Sequence, residues 1–200
     1  MKQRKEFFEK LARDWDREHH TETEIERTKH FAARYLPLSP GERVLDIGCG
    51  TSRLVPHIMN RIGESGILLE IDFSIEMLKI GKKRYTFPNT FFVQADGHLL
   101  PIHPRSIDTV ICMAFFPHLA DKVKSVNGFA SILKPGGKIY IAHQMNRIEL
   151  NRFHGNVNGP VSNDVLPDAE HMNRLLHSAG FGNIKIQEEE GLYLATAVLK

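Results

Sequence analysis

Two hundred residues, 42% of them hydrophobic, can bury one substantial core and scarcely two, so the chain reads as a single domain. Its 26 Lys and Arg against 24 Asp and Glu leave a formal charge of +2, and no segment gathers a block of like charge, which removes the footprint of a duplex nucleic-acid binder. Two cysteines exclude a disulfide framework or cysteine-based zinc site, no apolar stretch reaches membrane-span length, and the charged start MKQRKEFFEKLARDWD lacks a secretory apolar core, all pointing to a cytoplasmic protein with reduced, buried thiols.

In chain order, residues 3–35 read as two helices, the first with an apolar stripe of Phe7, Phe8, Leu11 and Trp15. Strand-length apolar runs follow at 43–47, 66–71, 90–94, 107–113 and 137–143. Between them, Leu54, Ile58 and Ile62 share one helical face, Ile75, Met77, Leu78 and Ile80 mark a second helix, and Val123, Val126, Phe129, Ala130 and Leu133 a third. Residues 154–168 form the one long irregular stretch; loops of that length in compact domains are often functional or mobile. DAEHMNRLLHSAG then reads as a helix stopped by Gly180, and NIKIQEEE and LYLATAVLK flank Gly191 as a final antiparallel hairpin. Near-continuous apolar strands alternating with helices predict an α/β fold, a largely parallel sheet with helices on both faces and an N-terminal helical cap.

The stretch RVLDIGCGTS runs from the first strand into a glycine-rich turn that opens a helix, where backbone N–H groups meet ligands. Gly48 and Gly50 suit a tight turn, but Arg53 stands where a dinucleotide fingerprint needs its third small residue. Asp46, two residues before the first glycine, sits badly beside a pyrophosphate and well beside an ammonium or sulfonium. Asp72, at the end of the second strand and roughly 20 residues beyond the turn, can accept both ribose hydroxyls. Glu70 shares its face and competes for that role, though Asp72 lies nearer the carboxyl edge. After the third strand, Asp96 can accept an adenine amino proton while the backbone N–H of Gly97 or His98 reaches a ring nitrogen. Each acid also has a plain structural role open to it: Asp46 as a turn cap, Asp72 as a cap for the helix beginning near Ser74.

VLDIGCGTS, IDFSIEMLKIGKKR, QADGHLLPI, SIDTVICMAFFPHLADK and ILKPGGKIYIAH, in that order, resemble the class I S-adenosylmethionine-dependent methyltransferases over about Phe7 to His143. FFEKLARDWD is similar to the N-terminal helix of small-molecule members, and the middle of the chain to the ubiquinone/menaquinone-biosynthesis C-methyltransferase branch. The resemblance implies a Rossmann-like seven-stranded sheet in the order 3-2-1-4-5-7-6 with strand 7 antiparallel. It also implies that Asp46, Gly48 and Gly50 contact the methionine part of S-adenosylmethionine, Asp72 with Phe73 the ribose, and Asp96, Gly97 and His98 the adenine. The family often has glycine where this chain has Ser52, and a small serine there is tolerated packing rather than a catalytic hydroxyl. Residues 1–36 then form the cap, 41–143 the cofactor-binding core and 144–200 a substrate-side loop, helix and hairpin.

Methyl transfer from a sulfonium is an in-line displacement in which positioning and desolvation do most of the work, so a base is optional. His118 and His143, at the active edge after the fourth and fifth strands, are the candidates for removing a proton. His143, His154 and Asp164 have no tight ligand spacing, and no metal is assigned. Trp15, Phe115, Phe116, Met145 and Phe153 are apolar candidates for the acceptor pocket, closed by the N-terminal helix and the 154–168 loop. The fourth strand lacks the [DNS]-P-P-[YFW] tetrapeptide of base N-methylating enzymes, so a small organic acceptor is expected. The competing functions are a non-catalytic S-adenosylmethionine-binding sensor or assembly module and a nucleotide-dependent oxidoreductase, the latter disfavoured by Asp46 and Arg53. No heptad announces an oligomer.

Overall fold

The computed structural model describes residues 2–200. Two helices, α1 (Lys2–His19) and α2 (Glu22–Tyr35), precede the alternating core of β1 (Arg43–Ile47), α3 (Val55–Ile62), β2 (Ile67–Asp72), α4 (Ile75–Arg84), β3 (Thr90–Gln94), β4 (Ile107–Met113), α5 (Lys122–Ile132) and β5 (Leu133–His143). The chain ends with α6 (Arg147–Asn156), α7 (Ala169–Ser178), β6 (Phe181–Glu189) and β7 (Leu192–Leu199).

The seven strands form one sheet in the order β3-β2-β1-β4-β5-β7-β6. Pairing is parallel from β3 to β5, while β7 runs antiparallel to both β5 and β6. The central parallel strands are largely apolar on both faces because both are covered: one side packs Phe116, Val126, Phe129, Met172 and Leu176, the other Phe31, Leu54, Val55, Ile58 and Leu36. Gly191, at φ +71°, makes the hairpin turn between β6 and β7, a conformation a side chain resists.

The chain's N-terminal and C-terminal elements fall where periodicity places them, with three corrections. The sequence reading passes over α6, whose only buried side chains are Leu150 and His154; two inward residues in ten make a weak apolar period. Its start was nonetheless written locally, since Asn146 accepts from the Glu149 amide and Glu149 reaches back to the Asn146 amide as a capping box. β5 begins at Leu133, paired with Ile107, rather than at Gly137; the irregular stretch around Gly136 (φ +79°) shifts the register before pairing resumes with Lys138 opposite Thr109. Both thiols are free, but Cys49 is only half-buried where Cys112 is fully buried.

Candidate active site

The glycine turn closes over the end of β2: the amides of Gly48 and Cys49 both donate to the Ile71 carbonyl, at 2.7 and 3.1 Å. Gly48, Gly50 and Ser52 all have positive φ, at +70°, +55° and +65°. A Cβ on Gly48 would lie 2.1 Å from the Phe115 ring, whereas one on Gly50 would meet nothing within 4 Å. The turn is thus packed on one side and open on the other, where a ligand can approach the backbone.

Asp72 ties this turn to the next helix. One carboxylate oxygen accepts from the Gly50 amide at 2.9 Å, the other from the Ser74 amide at 2.8 Å. The helix-capping role left open by the sequence belongs to Ser74, whose hydroxyl accepts from the Met77 amide. Each Asp72 oxygen keeps lone-pair capacity for a further donor. Burial raises its pKa to about 6, against the backbone hydrogen bonds of Ser74, Gly50 and Phe73. Glu70 has no exposure and lines none of the cavities described below, whereas Asp72 borders both of the larger ones.

A cavity of about 310 Å³ opens over the ends of β1, β2 and β3, lined among others by Gly48, Asp72, Phe73, Asp96, Gly97 and His98. A second of about 70 Å³ adjoins the glycine turn, bounded by Gly50, Thr51, Arg53, Met113, Ala114 and Trp15. Phe8, Phe115 and His118 border both. Asp46, buried at the end of β1, lines a third, small space with Thr28, Cys49 and Arg53. Burial and the neighbouring carboxylates push its pKa well above the usual range, while Arg53 opposes them. Arg53, read from sequence as bulk, is spent outward on Glu24 of α2 at 3.3 Å.

Asp96 accepts from the His98 backbone amide at 3.0 Å and from His98 Nδ1 at 2.7 Å, while His98 Nε2 accepts from the Asp121 amide at 3.1 Å. These partners fix the tautomer with the proton on Nδ1. They also take the His98 amide, so of the two amides offered for the adenine, Gly97 is the one left for a ligand.

On the opposite wall, His118 Nδ1 meets Asp164 Oδ2 at 2.6 Å, and Arg4 of α1 pairs with the same carboxylate oxygen. Burial opposes ionisation of Asp164, but the hydrogen bonds from His118 and Arg4 outweigh it and hold its pKa below the usual carboxylate value. His154 Nδ1 donates to the Asp164 carbonyl at 2.8 Å, with its ring 5.1 Å from that of His118. Asp164 Oδ2 therefore requires the proton on His118 Nδ1 and leaves Nε2 as the basic nitrogen.

Helix α1 lies across this arrangement. Phe8 packs edge-on against both Phe73 and His118, with centroids 5.4 and 5.3 Å apart. Glu9 accepts from the Ser74 hydroxyl and from the Ile75 and Glu76 amides at 3.0–3.1 Å, placing a carboxylate on the N-terminus of α4.

The family described as a methyltransferase domain matches residues 45–141. Curated relatives are the ubiquinone/menaquinone biosynthesis C-methyltransferase UbiE of Wigglesworthia glossinidia brevipalpis, 31% identical over 107 residues, and that of Pseudomonas savastanoi pv. phaseolicola, 32% identical over 117. The matches cover 52% and 56% of this chain but 43% and 46% of those proteins, so the chain spans less than half the length of the relatives it matches. The fold is shared with a SAM-dependent methyltransferase from Aquifex aeolicus (TM-score 0.67, 17% identity, 89% of this chain and 98% of that one). It is shared too with Haemonchus contortus phosphoethanolamine N-methyltransferase 2 bound to S-adenosyl-L-methionine (TM-score 0.72, 16% identity, 96% and 60%). A chain of the complex between the Haloferax volcanii Trm112 methyltransferase activator and a methyltransferase gives 0.75 at 21% identity, with 96% of each chain covered. The matched domain, these relatives and the shared fold together support a class I S-adenosylmethionine-dependent methyltransferase.

For a class I methyltransferase chain the residues present fit the cofactor: an open glycine turn, a buried acid at each of two strand ends, and the unpartnered Thr51 hydroxyl in the small cavity. Other assignments divide. Trp15 and Phe115 border the cavities, whereas Phe116 is fully buried in the core beneath and cannot touch an acceptor, a correction that follows from the 3-10 turn at Phe116–His118 rotating it inward. Met145 and Phe153 are exposed and line none of these cavities. His143 is buried, its Nε2 without a partner, and burial followed by the charges of His118 and His154 lowers its pKa to about 3. It is a neutral ring behind the site and lines neither of the larger cavities. Among the described residues, no group of three or more His, Cys, Asp or Glu is placed to hold a metal ion. The sequence reading missed Arg4, Glu9 and Phe8 as site residues and Asp164 as the partner of His118. Contacts across 46 to 160 residues leave no local signal.

Proposed function

We propose that this chain catalyses methyl transfer from S-adenosylmethionine to a small organic acceptor, with His118 as the base. When bound, the cofactor supplies an electrophilic methyl group on a sulfonium. Asp46, Gly48 and Gly50 hold its amino-acid end, Asp72 and Phe73 the ribose, and Asp96 with the Gly97 amide the adenine. Phe8 and Phe115 exclude water from the reacting centre, where positioning and desolvation contribute most of the acceleration. His118 Nε2 takes the acceptor proton, and Asp164 holds the imidazole in the required tautomer and stabilises the imidazolium that forms.

The observation that carries this assignment is the His118–Asp164 pair, 2.6 Å apart, whose His118 lines both cavities. A sensor that binds without turnover has no use for such a pair, so the non-catalytic alternative is disfavoured. His143, the second candidate base, is set aside because it is buried and lines neither cavity. Residues 1–36 act as the cover, 41–143 as the cofactor half, and 144–200 complete the acceptor side.

No helix among the described residues is long and apolar enough to cross a membrane. Two free cysteines suit a reducing cytoplasm, and balanced charge suits a small-molecule acceptor rather than nucleic acid. Calorimetric titration with S-adenosylhomocysteine tests the cofactor: micromolar binding that Asp72→Ala abolishes supports it, and preferential NADH binding overturns it. An acceptor screen then tests the chemistry, with His118→Ala as the control that must lose turnover.

A further inference from the structure

Glu70 is a buried carboxyl group that the mechanism above leaves unused. It sits in β2 opposite Asp46 of β1 and two residues before Asp72, with no solvent exposure. Neither of its oxygens has a hydrogen-bond partner. The group faces the Ser52 hydroxyl and the Cys49 thiol, neither of them at hydrogen-bonding geometry, and the Ser52 hydroxyl is itself buried and unpartnered. Ser52 holds its place at φ +65°, and α4 presses on it through Gly81, where a Cβ would lie 2.5 Å from the Ser52 oxygen.

The charged and titratable groups around Glu70 come from every neighbouring element. β1 contributes Asp46, β2 Asp72, and the turn Cys49 and Arg53, the latter paired with Glu24 of α2. α4 offers Gly81 and β3 the neighbouring Phe92, neither charged. Three carboxyl groups and a thiol thus lie beneath one turn with one guanidinium among them. They cannot all ionise until positive charge arrives on the open side of Gly50. Burial and then Asp72 push the Glu70 pKa up to about 7, with Ser52 and Cys49 acting the other way.

We propose that Glu70 is a proton-linked positioning residue of the cofactor turn: its carboxyl is neutral without ligand and loses its proton when a ligand bearing an ammonium group settles on the turn. The O–H bond of Glu70 breaks, the proton leaves to solvent, and the carboxylate then accepts from the Ser52 hydroxyl, drawing the turn down onto β2. Binding and proton release are one event. The proposal rests on the cofactor assignment above.

Calorimetry with S-adenosylhomocysteine in two buffers of different ionisation enthalpy, near pH 6.5, counts the protons released. Release is expected, with a Kd that falls as pH rises from about 6 to about 8, by at most about tenfold per pH unit for one proton. Methylthioadenosine, which has the nucleoside without the ammonium, releases fewer protons. Glu70→Gln still binds but releases fewer protons and flattens the pH profile. Ser52→Gly, which relieves the left-handed serine, moves the midpoint of the profile upward because the Glu70 carboxylate loses the hydroxyl that donates to it. Binding by the wild-type protein without proton release overturns the proposal, as does an undiminished proton count in Glu70→Gln, which would assign the protons to Asp46 or Asp72. Absence of homocysteine-product binding at every pH overturns the cofactor assignment itself, a distinguishable failure.

Discussion

His118 Nδ1 and Asp164 Oδ2 lie 2.6 Å apart, joining the turn after β4 to the segment after α6 across 46 residues of chain. Arg4, from the opposite end of the molecule, closes on the same carboxylate. The carboxylate that orients the proposed base is therefore also the anchor of the covering helix.

Removing the base should be read in the chemical step. His118→Ala is expected to lower kcat by about 10²- to 10⁴-fold, the usual weight of a general base, with a smaller loss of cofactor affinity. Asp164→Asn should cost less and shift the pH profile of kcat, because an amide no longer stabilises the imidazolium. Single-turnover rates across pH, on the acceptor found by screening, make the check; equal profiles for wild type and Asp164→Asn would remove Asp164 from the mechanism.

Asp72 presents two oxygens, each already holding one backbone amide. Asp72→Ala deletes both amide acceptors and both proposed ribose contacts, so S-adenosylhomocysteine affinity should fall by about 10²- to 10⁴-fold, two contacts at about 1.5–3 kcal/mol per hydrogen bond to a charged group. Titration calorimetry measures it directly.

Gly48 illustrates a constraint of space. A methyl at this position would sit 2.1 Å from the Phe115 ring, on a backbone at φ +70° where a side chain costs about 1–2 kcal/mol before any clash. Gly48→Ala should lower the melting temperature and the cofactor affinity together. Adding Phe115→Ala should restore part of both, the clash being relieved and the backbone strain remaining.

Glu9 caps α4 from another helix, satisfying two of its free amides. Glu9→Ala is expected to cost about 0.5–2 kcal/mol, the weight of a lost cap. The loss should appear as faster amide exchange in α1 and at the start of α4, and as faster release of bound S-adenosylhomocysteine, since the same helix covers the cavity. Exchange protection unchanged in α1 would show that the cap does not hold the cover.

His143 carries a stability prediction with a defined sign. Its pKa is about 3 in the fold, against about 6.5 when unfolded, so the native ring stays neutral while the unfolded chain takes a proton. Its contribution is present above about pH 6.5 and is lost as pH falls toward about 3. His143→Gln cannot take up that proton, so the melting-temperature difference between variant and wild type should move in the variant's favour on acidification from about pH 7 to about pH 4.

Much of the fold was legible because it is written in short-range patterns. The runs at 43–47, 90–94 and 107–113 are β1, β3 and β4 to the residue; β1 and β4, covered on both faces, must be largely apolar, and β3 keeps a strand-length apolar run although it lies at the sheet edge with Phe91 half exposed. The carboxyl edge was legible for a related reason: Gly48, Gly50, Asp72 and Asp96 all sit at strand ends, where position along the chain alone places a residue at that edge. Phe116 shows the limit. It differs from Phe115 by one step of a 3-10 turn, and that step sends one ring to the cavity and the other into the core.

The sequence by itself determined the element order, the α/β class, the glycine turn and the acids around it, since each depends on residue type and local spacing. Only the tertiary structure decided which groups share a charge: Arg4 and His118 on Asp164, Glu9 on α4, and Glu70 beside Asp46 without a partner. Those pairings arise when the sheet brings distant strand ends and helices to one edge. Their ionisation then depends on burial and neighbouring charge, which no linear spacing encodes.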